Sequence, residues 1–240
     1  AFLQRGVFAC YRPTDDPEPA ATDDQAADLQ PEAWLRLLRL AHDDKAEASR
    51  LYAQHYVGTH GRRYWSDTMQ LSTYLPNYAD FLAAQAVISS SQAAPAVPET
   101  LVIGEHYVPR GILGTYMAAA GEVLRTQGVE VIYGTIRSIL RDTTSFLPWA
   151  RDDYACVVFN LRTRHDEAGR RRTAKAFRGL IDAALDLGGS FFLTYHRHAT
   201  REQLLRAYPR LPEFLAAKRR YDPEERFVSD WYAHLRHVLG

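Results

Sequence analysis

Residues 129–164 read VEVIYGTIRSILRDTTSFLPWARDDYACVVFNLRTR, and this stretch decides the fold. "VEVIYGTIRSIL" carries β-branched residues at many positions, which is the pattern of a strand. After the loop "RDTTSFLPWARDD", the run "YACVVFNLRTR" reads as a second strand. Side chains alternate across a strand. Ile132, Ile136 and Leu140 therefore share one face, expected to meet helices, while Tyr133, Thr135 and Arg137 share the other. On the second strand Val158, Asn160 and Arg162 lie together. If these strands are neighbours, Arg137 lies beside Asn160 or Arg162.

Working outward, "TLVIGEHYV" reads as a strand, and "GILGTYMAAAGEVLRTQG" as a helix closed by Gly128. The first strand is ambiguous, because both alternations mix polar with apolar residues at Glu105, His106 and Tyr107. Downstream, "DEAGRRRTAKAFRGLIDAALDLGG" reads as a long helix ended by Gly188 and Gly189, and "SFFLTYH" as a fourth strand. The order β-α-β-β-α-β is the split, ferredoxin-like unit. The fold class is therefore α+β: an antiparallel sheet over residues 99–198 with both helices on one face. Residues 199–240 form a helical segment, in which Thr200 and Gln203 suit a capping box. Residues 1–98 are mainly helix and loop. "PEAWLRLLRLAHDDKAEASRLYAQHY" repeats Trp34, Leu37, Leu38 and Ala41 at helix spacing after Pro31, and "YLPNYADFLAAQAVI" suits a shorter helix. "RPTDDPEPAATDDQ" and "SSSQAAPAVPET" read as linkers or exposed loops. "YWSDTMQLSTYLP" suits either a pocket lining or a packed turn.

Composition narrows the function. Acidic and basic side chains balance at 29 each, which gives no electrostatic reason to expect a nucleic-acid partner. The third strand also lacks the basic, aromatic motif of an RNA-recognition sheet. No apolar run approaches a membrane span. Cys10 and Cys156 sit in apolar surroundings, lack metal or redox spacing and suit buried free thiols in a reducing cytoplasm. His196 with His198, and His234 with His237, could each offer two metal ligands, but nothing completes a site, so no metal is expected. No glycine-rich phosphate loop is present.

The face opposite the helices carries Tyr133, Thr135, Arg137, Asn160 and Arg162, with Thr194 and His196 aligned on the fourth strand. A solvated face also alternates polar with apolar residues. This one carries types that bind anions, π systems and hydroxyl groups. That leaves two readings open: an enzyme site, or a ligand-binding or interaction module without catalysis.

The C-terminal stretch "AYPRLPEFLAAKRRYDPEERFVSDWYAHL" resembles the end of FAD-linked oxidases of the vanillyl-alcohol oxidase type, above all the aldonolactone and alditol oxidase branch. The resemblance rests on Tyr208-Pro209, Phe214 and Leu215, Arg219 and Arg220, Asp222-Pro223 and Phe227. "EHYVPR" is similar to the family's strand ending at Val108, Pro109 and Arg110, and "YGTIRSI" to the cap strand that carries an Arg toward the flavin. The likeness is clearest from about Glu99 onward. It implies the cap half of an FAD-dependent oxidoreductase of alcohols. The small-molecule substrate would lie between the open sheet face and a flavin held mostly by an N-terminal domain absent from these residues. The opening at Ala1, without Met, fits the middle of a longer polypeptide. On this reading His196 takes the substrate proton and Arg137 stabilises developing negative charge. Tyr133, Thr135, Asn160, Arg162, Thr194 and Tyr195 bind substrate, and Arg137 and Tyr232 face the cofactor. His196 stands where the branch often has a Lys, and neither His55 nor His60 lies in a motif for covalent flavin attachment.

Overall fold

The computed structural model describes residues 5–10, 12–15, 29, 31–62 and 97–240. The runs 64–76 and 74–88, with most of both linkers, lie outside the described residues. The chain divides into two compact units, Ala1–Ala96 and Val97–Gly240.

In the first unit, α1 (Pro31–Asp43) and α2 (Lys45–Gly58) replace the single continuous helical run. The break falls at Asp44, whose carboxylate accepts from the backbone N–H of Glu47 and caps α2. Trp34, Leu37 and Leu38 are buried, and the Trp34 ring packs 6.2 Å from that of Tyr52 on α2.

The second unit runs β1 (Glu99–Pro109), a 3-10 turn (Arg110–Ile112), α3 (Leu113–Gln127), β2 (Val131–Ile139), β3 (Tyr154–Arg164), α4 (Glu167–Asp186) and β4 (Ser190–Phe191). Then follow α5 (Arg201–Ala207), α6 (Leu211–Tyr221) and α7 (Asp230–Leu239). The sheet order is β2-β3-β1-β4, with every neighbouring pair antiparallel. Helix α3 ends at Gly128, whose positive φ of 60° favours glycine. Asp166 caps α4 by accepting from Gly169 N–H.

Helices α3 and α4 pack on each other and on β1, so they cover one face. Gly104 marks the closest approach: a Cβ there would lie 2.3 Å from Cε1 of Phe177. His106, Val157, Phe159, Leu161, Phe177, Leu180 and Ile181 are buried. Register puts His106 opposite Val157, and Gly104 opposite Phe159. This is the helix side.

Two expectations need correction. The fourth strand does not run through His196; it ends at Phe191. Past it, Phe192 N–H still donates to the Glu105 carbonyl at 2.9 Å before the chain turns. Tyr208 Oη donates to the carbonyl of Phe191, and Trp231 Nε1 donates to that of Leu193 at 3.1 Å. The Phe191 carbonyl points away from β1, because the trans peptide sets it opposite Phe192 N–H, so the C-terminal helices hold the outer edge of this segment. The second correction concerns β2. Ile132 is buried, but Ile136 and Leu140 are exposed at 50% and 72%. β2 is an edge strand, and the helices leave its far end uncovered.

The C-terminal helices join the same core. Leu204, Ala207, Tyr208, Leu211, Leu215, Tyr232 and Leu235 cluster with Ile181, Leu185 and Phe191. The capping box forms as expected: Thr200 Oγ1 accepts from Gln203 N–H, and Gln203 Oε1 accepts from Thr200 N–H. Asp222 closes α6, pairing with Lys218 and accepting from the N–H groups of Arg226 and Phe227. Among the described residues, no helix is long and apolar enough to cross a membrane.

Candidate functional site

The face away from α3 and α4 is built in rows set by strand register. Tyr107, Cys156 and Arg137 form one row across β1, β3 and β2. Glu105, Val158 and Thr135 form the next, and Ile103, Asn160 and Tyr133 the third. Strands lie about 4.8 Å apart, so the outer members of each row are separated by roughly 10 Å of backbone. Val158 is the apolar floor of the middle row.

Residues 141–153 fold over one end of this face. Asp142 holds the loop in shape by accepting from Thr144 N–H, Thr144 Oγ1 and Ser145 N–H. These donors lower its pKa to about 2. Ala150 is buried against Tyr107, Tyr154, Cys156 and Val158, and Trp149 meets the Tyr107 ring edge-on at 5.5 Å. At the other end Ile103 is exposed.

Glu105 is the centre of the polar network. Its Oε1 accepts from Tyr107 Oη at 2.7 Å and from Cys156 Sγ at 3.2 Å. Burial pushes both the tyrosine and the thiol up, and the adjacent carboxylate pushes them further, so both stay protonated and donate. Tyr195 is raised by burial and then by the Glu105 carboxylate. Arg137 acts in the opposite sense, lowering Cys156 and Tyr195. Among the described residues nothing partners the buried Oγ1 of Thr135. A carboxylate, phenols, an amide, a hydroxyl and a guanidinium thus surround one apolar floor. That set can hold a ligand with both donors and acceptors and can accept a proton.

The sequence-based site residues divide into two groups. Tyr133, Thr135, Arg137 and Asn160 lie on the shared open face. The neighbours differ from expectation: Arg137 registers with Cys156, while Asn160 registers with Tyr133. Tyr195 lies beside this face in a bend after β4, 48% exposed, with its ring 4.5 Å from that of Phe192. Arg162 is committed elsewhere, bonding Glu99 at 2.7 Å and Glu130 at 3.2 Å. Thr194 is exposed in a turn, not on a strand.

His196 and Tyr232 are corrections. His196 packs 3.9 Å from the ring of Phe177 and 4.9 Å from that of His198, which puts it on the helix side of the sheet. Burial, then His198, lowers its pKa to about 3. Because the strand ends early, the alternation that assigned it to the open face does not extend that far. Tyr232 is buried among the C-terminal helices, its hydroxyl donating to Glu225 at 3.0 Å. No group of three metal-ligating side chains converges among the described residues.

Sequence reasoning missed Glu105, Tyr107 and Cys156. The signal was weak, because "GEHY" mixes both faces and only pairing with β3 shows which residues share Glu105's side. No family model matches the chain, and no curated protein matches it.

Proposed function

We propose that this chain is the substrate-facing portion of an FAD-dependent oxidoreductase that oxidises an alcohol-type substrate by hydride transfer to flavin. The observation that carries this reading is the open sheet face, where Arg137, Thr135, Asn160 and Glu105 surround the apolar floor at Val158. A flavin ring is flat and apolar on its faces with acceptors along its edge. The exposed Ile103 suits its face, and the exposed guanidinium of Arg137 suits an edge where negative charge develops. Tyr232, buried elsewhere with its hydroxyl occupied, does not suit that contact. Bound flavin would supply the two-electron acceptor.

This chain's residues would do the rest. Arg137 stabilises developing negative charge. Thr135, Asn160 and Tyr133 orient substrate hydroxyls from the β2–β3 side, and Tyr195 closes the β4 side. The flavin's phosphates would be held by an FAD-binding domain outside these residues. Cys156 is a buried free thiol as expected, whereas Cys10 is free but exposed; free thiols support a cytoplasmic setting.

The test is to purify the natural polypeptide that carries these residues and mix it anaerobically with a panel of alcohols. Bound flavin that loses its oxidised absorbance supports the reading. A preparation without flavin, or flavin that no alcohol reduces, overturns it in favour of a ligand-binding module.

A further inference from the structure

We propose that Glu105 is the group that takes the substrate's hydroxyl proton; this rests on the oxidoreductase reading above. His196, which the sequence suggested for that step, lies against Phe177 on the far side of the sheet. Glu105 lies on the open face of an inner strand and is only partly buried. The groups that its carboxylate contacts are donors: Tyr107 Oη at 2.7 Å and Cys156 Sγ at 3.2 Å. An ionised carboxylate offers about four lone-pair sites. Tyr107 and Cys156 occupy two on Oε1, so Oε2 retains capacity for an incoming O–H. Across Val158, Thr135 Oγ1 is buried with no partner among the described residues. Arg137 stands one row along the same strand. A ligand that reaches Glu105 on this face therefore meets an acceptor on β1 and donors on β2.

The step balances. The substrate O–H bond breaks and its proton joins a Glu105 carboxylate oxygen. The C–H bond breaks, and its electron pair leaves as hydride to the flavin, which is reduced by two electrons. The C–O bond becomes C=O. Tyr107 and Cys156 stay protonated throughout and fix the carboxylate's orientation.

Two measurements test this. In the natural flavoprotein, Glu105→Gln keeps a group of similar reach that cannot take the proton. Its limiting rate of flavin reduction should fall by about 100-fold or more, with substrate affinity changing far less. Glu105→Asp should recover part of that rate and guards against a folding defect in the Gln variant. Separately, the full chain without flavin is titrated with glycerol and followed by amide NMR. Shifts should map to Glu105, Val158 and Thr135 and weaken in Glu105→Gln. A Gln variant that reduces flavin at the wild-type limiting rate overturns the role of Glu105 and leaves the oxidoreductase reading intact. Wild-type flavin that no alcohol reduces overturns both. Absence of glycerol shifts on this face in the wild-type chain removes Glu105 from contact with hydroxyl ligands.

Discussion

Arg137 and Gly104 show how differently single residues depend on their surroundings. Arg137 is exposed and forms no ion pair among the described residues. Its loss should therefore leave folding nearly untouched, within about 0.5 kcal/mol. Under the proposed function, Arg137→Ala lowers turnover by roughly 100-fold or more, because a cation aimed at developing charge contributes mainly in the transition state. The pair of measurements is a thermal melt and the rate of flavin reduction. A wild-type rate removes Arg137 from the mechanism, and a large fall in melting temperature makes it structural. Gly104 is the opposite case. A Cβ at 2.3 Å from Cε1 of Phe177 requires that ring to move inside a packed core. Gly104→Ala should cost about 1–3 kcal/mol in denaturant unfolding. A melt equal to wild type would mean that Phe177 repacks freely.

At the scale of elements, the edge strand β2 is where pattern and packing part. Ile132 and Ile136 look equivalent by alternation, yet the first is buried and the second half-exposed. Ile132→Ala should destabilise by about 2–4 kcal/mol, since it leaves a cavity beneath the helices. Ile136→Thr keeps a β-branched side chain, so its cost should stay within about 0.5 kcal/mol. Equal losses at the two positions would contradict the placement of the helices. The capping box offers a second check. Thr200→Ala should cost about 1 kcal/mol, because Gln203 N–H loses its acceptor at the start of α5.

At the scale of the whole molecule, a buried and a half-buried histidine tie stability to acidity. Burial, then His196, lowers His106 to about 3. Burial, then His198, does the same to His196. In the unfolded chain each returns to about 6.5. Between those limits the unfolded state binds more protons, so stability rises with pH. The contribution is complete above about pH 6.5 and is lost as pH falls toward 3. The slope is on the order of 1.4 kcal/mol per pH unit for fully buried His106, and smaller for the partly solvated His196. Urea unfolding of wild type and His106→Asn at several pH values checks this. The variant should show a flatter acid slope, and parallel slopes would remove His106 as a cause.

The sequence by itself determined the α+β class, the β-α-β-β-α-β order and the strand "YACVVFNLRTR" with its ends, because local periodicity and turn residues carry that information. It also determined the shared face of Tyr133, Thr135 and Arg137, because alternation along one strand is a local property. Which residues stand beside them was decided by tertiary structure. Register made Cys156 the neighbour of Arg137, and pairing with β3 brought Glu105 and Tyr107 into the site. Tertiary structure also ended the β4 ladder early and put His196 against Phe177 on the helix side, where no local pattern places it. Alternation fixes faces only as far as the ladder runs, and the ladder's length depends on groups distant in the chain.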